Sequence, residues 1–304
     1  MTFTRLTLAT TYIVLALASQ GASAQTTDTL KKVAASGFIT MGVRDASGVM
    51  SYTLGVGDYT GFHVDICKKI VTDLQAQLGL KTLDIRYQLV TPQNRITLVQ
   101  NGTVDLECGS TTNNATRQKD VAFAPTVYVE EVRVAVKAKS GITSLAQLAN
   151  KTVSATGGST AVQLIRKHGR SAGVDFKELY GKDNNEGFLL LESGRADAFV
   201  ADGQILATVI SQSKQPADYM LLKEVISVEP IAIMIPKGDT AFKRAVDGSV
   251  LRMAKSGEIA ALYDKWFVQA IPPRNIRVNL PASDMTKAAW AAPNDKPVEE
   301  YAPK

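Results

Sequence analysis

Histidine and cysteine are scarce in this chain, with two of each among 304 residues. No G-x-S-x-G elbow, Walker loop or zinc signature accompanies them, which argues against nucleophilic or metal-assisted hydrolysis. His63 and Cys67 in "FHVDIC" have the i, i+4 spacing of a metal pair, but no third ligand stands nearby. The bland alternative, an exposed histidine beside a core cysteine, is the expectation, and His168 is read as decorating a helix end. The formal charge of +5 is spread without blocks of Lys/Arg, so no nucleic-acid partner is expected. No cofactor is expected either. Repeats and low-complexity segments are absent, and 45% hydrophobic with 21% charged residues is an ordinary soluble composition. The length suffices for one large or two modest domains.

One apolar run exists, at the N-terminus. "MTFTRLTLATTYIVLALASQGASAQ" has Arg5, an apolar centre at Ile13–Leu17 and the A-x-A site Ala22-Ser23-Ala24. This is the pattern of a secretory signal peptide over residues 1–24, cleaved after Ala24, and the run is too short for a membrane anchor. Export to the periplasm is the expectation. In an oxidising compartment Cys67 and Cys108 have two outcomes, one disulfide or two buried thiols, and spacing does not choose between them.

The remaining chain alternates strand and helix. "GFITMGVRD" reads as a buried strand ending at Arg44, and "GFHVDICKKIVTDLQAQLG" as an amphipathic helix stopped by Gly79. "LDIRYQLV", "NRITLVQNG" and "VDLECG" follow as strand, short helix and strand. Units of this length imply parallel pairing in an α/β sheet. "VRVAVKA" (132–138) and "IAIMIP" (231–236) alternate strictly, and a second α/β set lies between them. The expected architecture is α/β and two-lobed, with two crossover strands as a hinge. Residues 25–130 and 226–304 would form a discontinuous first lobe, and residues 131–225 an inserted second lobe. The tail after "IPPRNI" is expected to hold a single helical turn.

"DLECGSTTNNATRQKDVAFA" (105–124) ends a strand in hydroxyls and amides, with Arg117 three residues on. Such groups are costly to bury unless something occupies them. Their bland reading is a capped helix start, with Asn113 or Asn114 as cap and the rest solvated. Three further features favour a ligand. Arg44 ends a strand, Arg95 opens a helix, and Gly157-Gly158-Ser159-Thr160 precede another. Helix N-termini attract anions, and arginine forks grip carboxylates. Asp202 ends the strand of "AFVADG"; it is either a turn aspartate or the partner of a ligand ammonium group. Ligands of open α/β sheets bind beyond the carboxyl ends of strands, where Arg44, Ser110 and Asp202 all fall.

"TPQNRITLVQNGTVDLECGSTTNNATRQKDVAFA", "LESGRADAFVADG", "KSGEIAALYDKWF", "IPPRNI" and the "PNDK" tail closely resemble the periplasmic glutamate/aspartate-binding proteins, family 3 (type II) receptors of ATP-binding-cassette importers. The resemblance implies a monomer with a two-lobed, type II periplasmic binding protein fold, which hands its amino acid to a membrane-embedded permease. By resemblance Arg117 clamps the α-carboxylate, aided by Thr112 and the helix start at Thr160. Ser110, Thr112 and Asp202 meet the ammonium group, and Arg44 and Arg95 take a side-chain carboxylate. Two positions depart: Pro92 stands where the family has serine, and Asn184 where it has histidine. The family also pairs the cysteine of "ECGS" with one in the second crossover strand, which here reads "IAIMI", so Cys108 lacks that partner.

Three arginines against Asp202 leave two surplus positive charges, and an unpaired buried charge costs about 3–5 kcal/mol. An acidic ligand relieves that cost. Two other uses of the fold are a sensory receptor and a cyclohexadienyl-dehydratase-like enzyme, for which Glu107 and Glu131 are the nearest candidate acids.

Overall fold

The computed structural model describes residues 28–301, so the expected signal peptide at 1–24 lies outside the described residues. Strand–helix alternation resolves into two main sheets. The first runs in the order Asp84–Leu89, Phe38–Val43, Leu106–Glu107, Met234–Pro236, Val121–Phe123. Its first three strands are parallel, and Met234–Pro236 is antiparallel to both neighbours. The second runs Tyr219–Leu221, Tyr128–Lys137, Ala198–Asp202, Thr152–Thr156, Lys177–Gly181, and Ser227–Ile231 also pairs with Tyr128–Lys137.

Each sheet carries its own core. Around the first, the helix Phe62–Gln77 buries Phe62, Ile66, Ile70 and Leu74, the expected four-residue stripe. It packs with Phe242, Val246, Val250 and Met253 of the helix Thr240–Ser256. Around the second, Val132, Val134, Val136, Val153, Ile165 and Val200 form a separate cluster. Two cores without a shared cluster are what make two lobes.

The lobes are joined by Tyr128–Lys137 and Ser227–Ile231, antiparallel with Tyr128 opposite Ile231 and Val132 opposite Ser227. The second connecting strand therefore lies four residues earlier than "IAIMIP" suggested. Ala232–Ile235 is wholly buried instead of alternating, because Met234–Pro236 is sandwiched inside the first sheet. The tail also differs from expectation. It contains an eight-residue helix, Asp284–Ala291, capped by Ser283 and tied to Val129 through Thr286.

Cys67 and Cys108 form a disulfide with Cα atoms 6.4 Å apart. One turn earlier on the same helix, His63 is fully buried, which corrects the expectation of an exposed ring. The helix start tucks under the 47–51 loop, with Phe62 and His63 N–H donating to Val49 and Met50. His63 Nδ1 reaches the Gly109 carbonyl at 2.5 Å, so Nδ1 carries the proton. Burial pushes its pKa down to about 3.

Candidate functional site

The strand ends converge between the lobes. A cavity of about 20 Å³ is lined by Arg44, Pro92, Arg95, Ser110 and Thr112 from the first lobe, and by Thr156, Ser159, Thr160, Asn184 and Asp202 from the second. Seven of the eight residues anticipated from sequence thus share one cavity. The eighth, Arg117, is half-buried behind Thr112, with its guanidinium donating to the Thr112 carbonyl at 2.8 Å. A larger open groove of about 900 Å³ lies alongside, between the 45–53 loop and residues 182–214. It touches the small cavity at Asn184 but holds none of the three arginines.

Arg44 and Arg95 are each 3% exposed, a burial that demands compensation. Arg95 donates to the Ser110 carbonyl at 3.3 Å, while its Nε has no partner. None of the three arginines forms an ion pair among the described residues. Burial, and next the neighbouring Arg95, pushes Arg44 down to about 10 and Arg117 to about 9. Both stay charged at neutral pH. Asp202 sits in the N-cap position of the helix Gly203–Gln212 without a capping bond, so its carboxylate is left for the cavity. Burial first, then Glu229, raises its pKa to about 7, against the pull of the three arginines.

The polar run 109–117 divides its groups between cavity and scaffold. Ser110 and Thr112 face the cavity, and Ser110 shares a 2.7 Å hydrogen bond with Ser47. Thr111 donates to Glu107. Asn113 is buried, with its amide donating to the carbonyls of Asp295 and Lys296 in the C-terminal tail. The solvated-cap alternative fails for this half of the run. Asn114 does receive the Arg117 N–H, at a short 3-10 turn over Arg117–Lys119.

Contacts cross directly between lobes. Asn184 donates to the Ala46 carbonyl at 2.7 Å, and Gln204 accepts from Val49 N–H at 3.1 Å. Gly158, at φ +77°, lies so close to Pro92 and Gln93 that a Cβ there would meet Gln93 N at 2.9 Å.

Glu229 was missed from sequence. It is 2% exposed on the second connecting strand and accepts hydrogen bonds from Thr112 Oγ1 at 2.7 Å and Thr160 Oγ1 at 2.9 Å. Burial raises its pKa, opposed by those two hydroxyls and then by Arg117. Glu229 revises the charge count: three nearby acids, Glu107, Asp202 and Glu229, act on the three arginines, so the two surplus positive charges counted from sequence do not stand. No local signal in "SVEPIAIMI" marks this residue, since its partners lie 117 and 69 positions away. Of the acids considered for dehydratase chemistry, Glu131 pairs with Arg133 at 2.9 Å on an open face, and Glu107 is buried against Thr111. Neither lines the cavity.

Residues 39–269 match the bacterial extracellular solute-binding proteins, family 3, and the chain belongs to that family. It is 41% identical over 296 residues to the L-glutamate/L-aspartate-binding protein of Pseudomonas aeruginosa, covering 96% of this chain and 98% of that one. It is 37% identical over 290 residues to the glutamate/aspartate import solute-binding protein of Escherichia coli K12, covering 93% and 96%. Among solved structures, the solute receptor for L-cysteine of Neisseria gonorrhoeae superimposes with a TM-score of 0.69 at 25% identity, covering 81% of this chain and 98% of that one. The fold is the two-lobed type II periplasmic binding protein fold, and the chain is a binding protein, not an enzyme.

Proposed function

We propose that the protein captures an acidic amino acid, L-glutamate or L-aspartate, between its lobes and delivers it to an ATP-binding-cassette permease. The observation that carries this reading is that Arg44 and Arg95 share the cavity with Asp202, with Arg117 just behind Thr112, and none of the three has an ion-pair partner among the described residues. Arg117 and the backbone N–H groups at the start of the helix Thr160–Ala172 take the α-carboxylate. Asp202, with Ser110 and Thr112, takes the ammonium group, and Arg44 and Arg95 take the second carboxylate. Asn184, bonded across the cleft to Ala46, sets how much length that side chain has. The names of the relatives from Pseudomonas and Escherichia support the choice of ligand.

Lobe 1 comprises residues 25–130 and 226–304, and lobe 2 residues 131–225. The cavity's about 20 Å³ is room on the order of one water. Admission of an amino acid therefore requires the walls to part about the connecting strands, and capture requires them to close. The working protein is a periplasmic monomer released by cleavage after Ala24. No helix among the described residues is long and apolar enough to cross a membrane.

Calorimetry with L-glutamate, L-aspartate, L-glutamine and L-asparagine tests the reading. The acids should bind more tightly than their amides by an order of magnitude or more; tighter amides would overturn it.

A further inference from the structure

Thr112 and Thr160 line the cavity from opposite lobes, and both side chains donate to the same oxygen of Glu229, at 2.7 and 2.9 Å. A threonine hydroxyl carries a single proton. Once that proton points to Glu229, neither hydroxyl has a donor left for a ligand carboxylate. What each still offers toward the cavity is oxygen lone pairs, which suit an ammonium group.

The location of Glu229 adds to this. It lies on neither wall, but on Ser227–Ile231, the strand that joins the lobes. Thr112 is held to that strand through its bridge with Ile231, flanked by Asn113 N–H donating to the Pro230 carbonyl. Thr160 opens the helix Thr160–Ala172 of the second lobe, where Ser159 makes no side-chain cap because its hydroxyl donates to the Thr156 carbonyl. One carboxylate thus gathers a hydroxyl from each wall.

We propose that Glu229 is a positioning residue. It fixes the two threonine rims in the closed arrangement and turns their lone pairs toward the ligand ammonium group, leaving the α-carboxylate to Arg117 and backbone N–H groups. This rests on the reading of the cavity as an amino-acid site, but not on the ligand being acidic, since the ammonium group is common to all amino acids.

The decisive experiment is a double-mutant cycle read by calorimetry. Thr160→Val should weaken L-glutamate at least tenfold in the wild-type background and less than twofold when Glu229 is already alanine. Thr160→Ser, which keeps the hydroxyl, should recover most of the affinity that Thr160→Val loses. Glu229→Gln, whose amide oxygen still accepts both hydroxyls, should recover most of the affinity that Glu229→Ala loses. Small-angle scattering should show ligand-driven compaction in Glu229→Gln and a diminished change in Glu229→Ala. Additive losses in the cycle, or a Glu229→Ala protein that binds and closes like wild type, would overturn the proposal. If Glu229→Ala fails to fold, the Thr160→Val and Thr160→Ser pair in the Glu229→Gln background still decides. Failure of the acidic-ligand reading would look different: wild type would prefer another amino acid, and the same cycle would then be run with that one.

Discussion

Glu130 and Glu229 stand directly opposite one another in the ladder of the two connecting strands, both 2% exposed. Glu130 accepts from Tyr128 OH and from the N–H groups of Glu131, Gly203 and Gln204, while Glu229 gathers Thr112 and Thr160. Burial, and next Asp202, holds Glu130 well above the usual carboxylate range. The hinge of this receptor is therefore acidic and costly to ionise fully.

That cost predicts a pH dependence. A carboxyl whose folded pKa is raised contributes stability below its unfolded value and loses it as pH climbs through the folded one. For Asp202 the window runs from 3.8 to about 7. His63 acts oppositely, and its contribution is lost as pH falls from 6.5 toward about 3. Above pH 6.5 the opposition from His63 fades, and it is gone by about pH 7.5. Between pH 6.5 and 8 the ligand-free protein should lose about 0.5 kcal/mol, the Asp202 loss less the last of the His63 gain, or about 1 °C in melting temperature. Asp202→Asn should flatten that slope. A wild-type melting temperature that rises over this interval would contradict the assignment.

Selectivity should reside in Arg95. A charge-assisted hydrogen bond contributes roughly 1.5–3 kcal/mol, on the order of a 10- to 150-fold change in Kd. Arg95→Met should weaken L-glutamate by that factor and L-glutamine only about threefold. Arg117→Ala should abolish binding of both. Equal losses for acid and amide in Arg95→Met would remove Arg95 from the side-chain subsite.

Closure should be sensitive to a single methyl group. A Cβ at Gly158 would meet Gln93 N, Pro92 C and Pro92 O at 2.9–3.0 Å, and all three are backbone atoms of the opposite lobe. Gly158→Ala should weaken ligand at least tenfold, while the strain of a non-glycine residue at this φ costs only about 1–2 kcal/mol of stability. Titration alongside a melt separates the two effects, and unchanged affinity would show that the lobes do not approach this closely in the complex.

The disulfide is a stabiliser of the first lobe. It closes a sequence separation of 41 residues, for which chain entropy gives roughly 4 kcal/mol. Denaturant unfolding of a Cys67→Ser, Cys108→Ser protein should show a loss of that order. Because the bond leads straight into Gly109 and Ser110, affinity should weaken as well.

What was legible in sequence was whatever depends on neighbours in the chain. Arg44, Ser110 and Asp202 could be placed because alternation reveals where a strand ends, and strand ends of such sheets face the cleft. The helix Phe62–Gln77 followed from four-residue spacing. Glu229 was hidden because its partners come from both lobes, and its strand looks like any apolar run. His63 was misread because a helix start tucked under a loop is buried on more than one face. The cysteine pairing depended on two elements that only the folded sheet brings together.

Met234–Pro236 fills the slot between Leu106–Glu107 and Val121–Phe123. Those neighbours are made early, but the strand that joins them arrives only after the whole intervening lobe. During synthesis the intervening half can condense as one continuous stretch, whereas the earlier half waits with an open seam. Separations this long slow folding, so the rate-limiting event should be the docking of a late strand into an early sheet, and protection from hydrogen exchange should appear first around Val153 and Val200 and last around Val121.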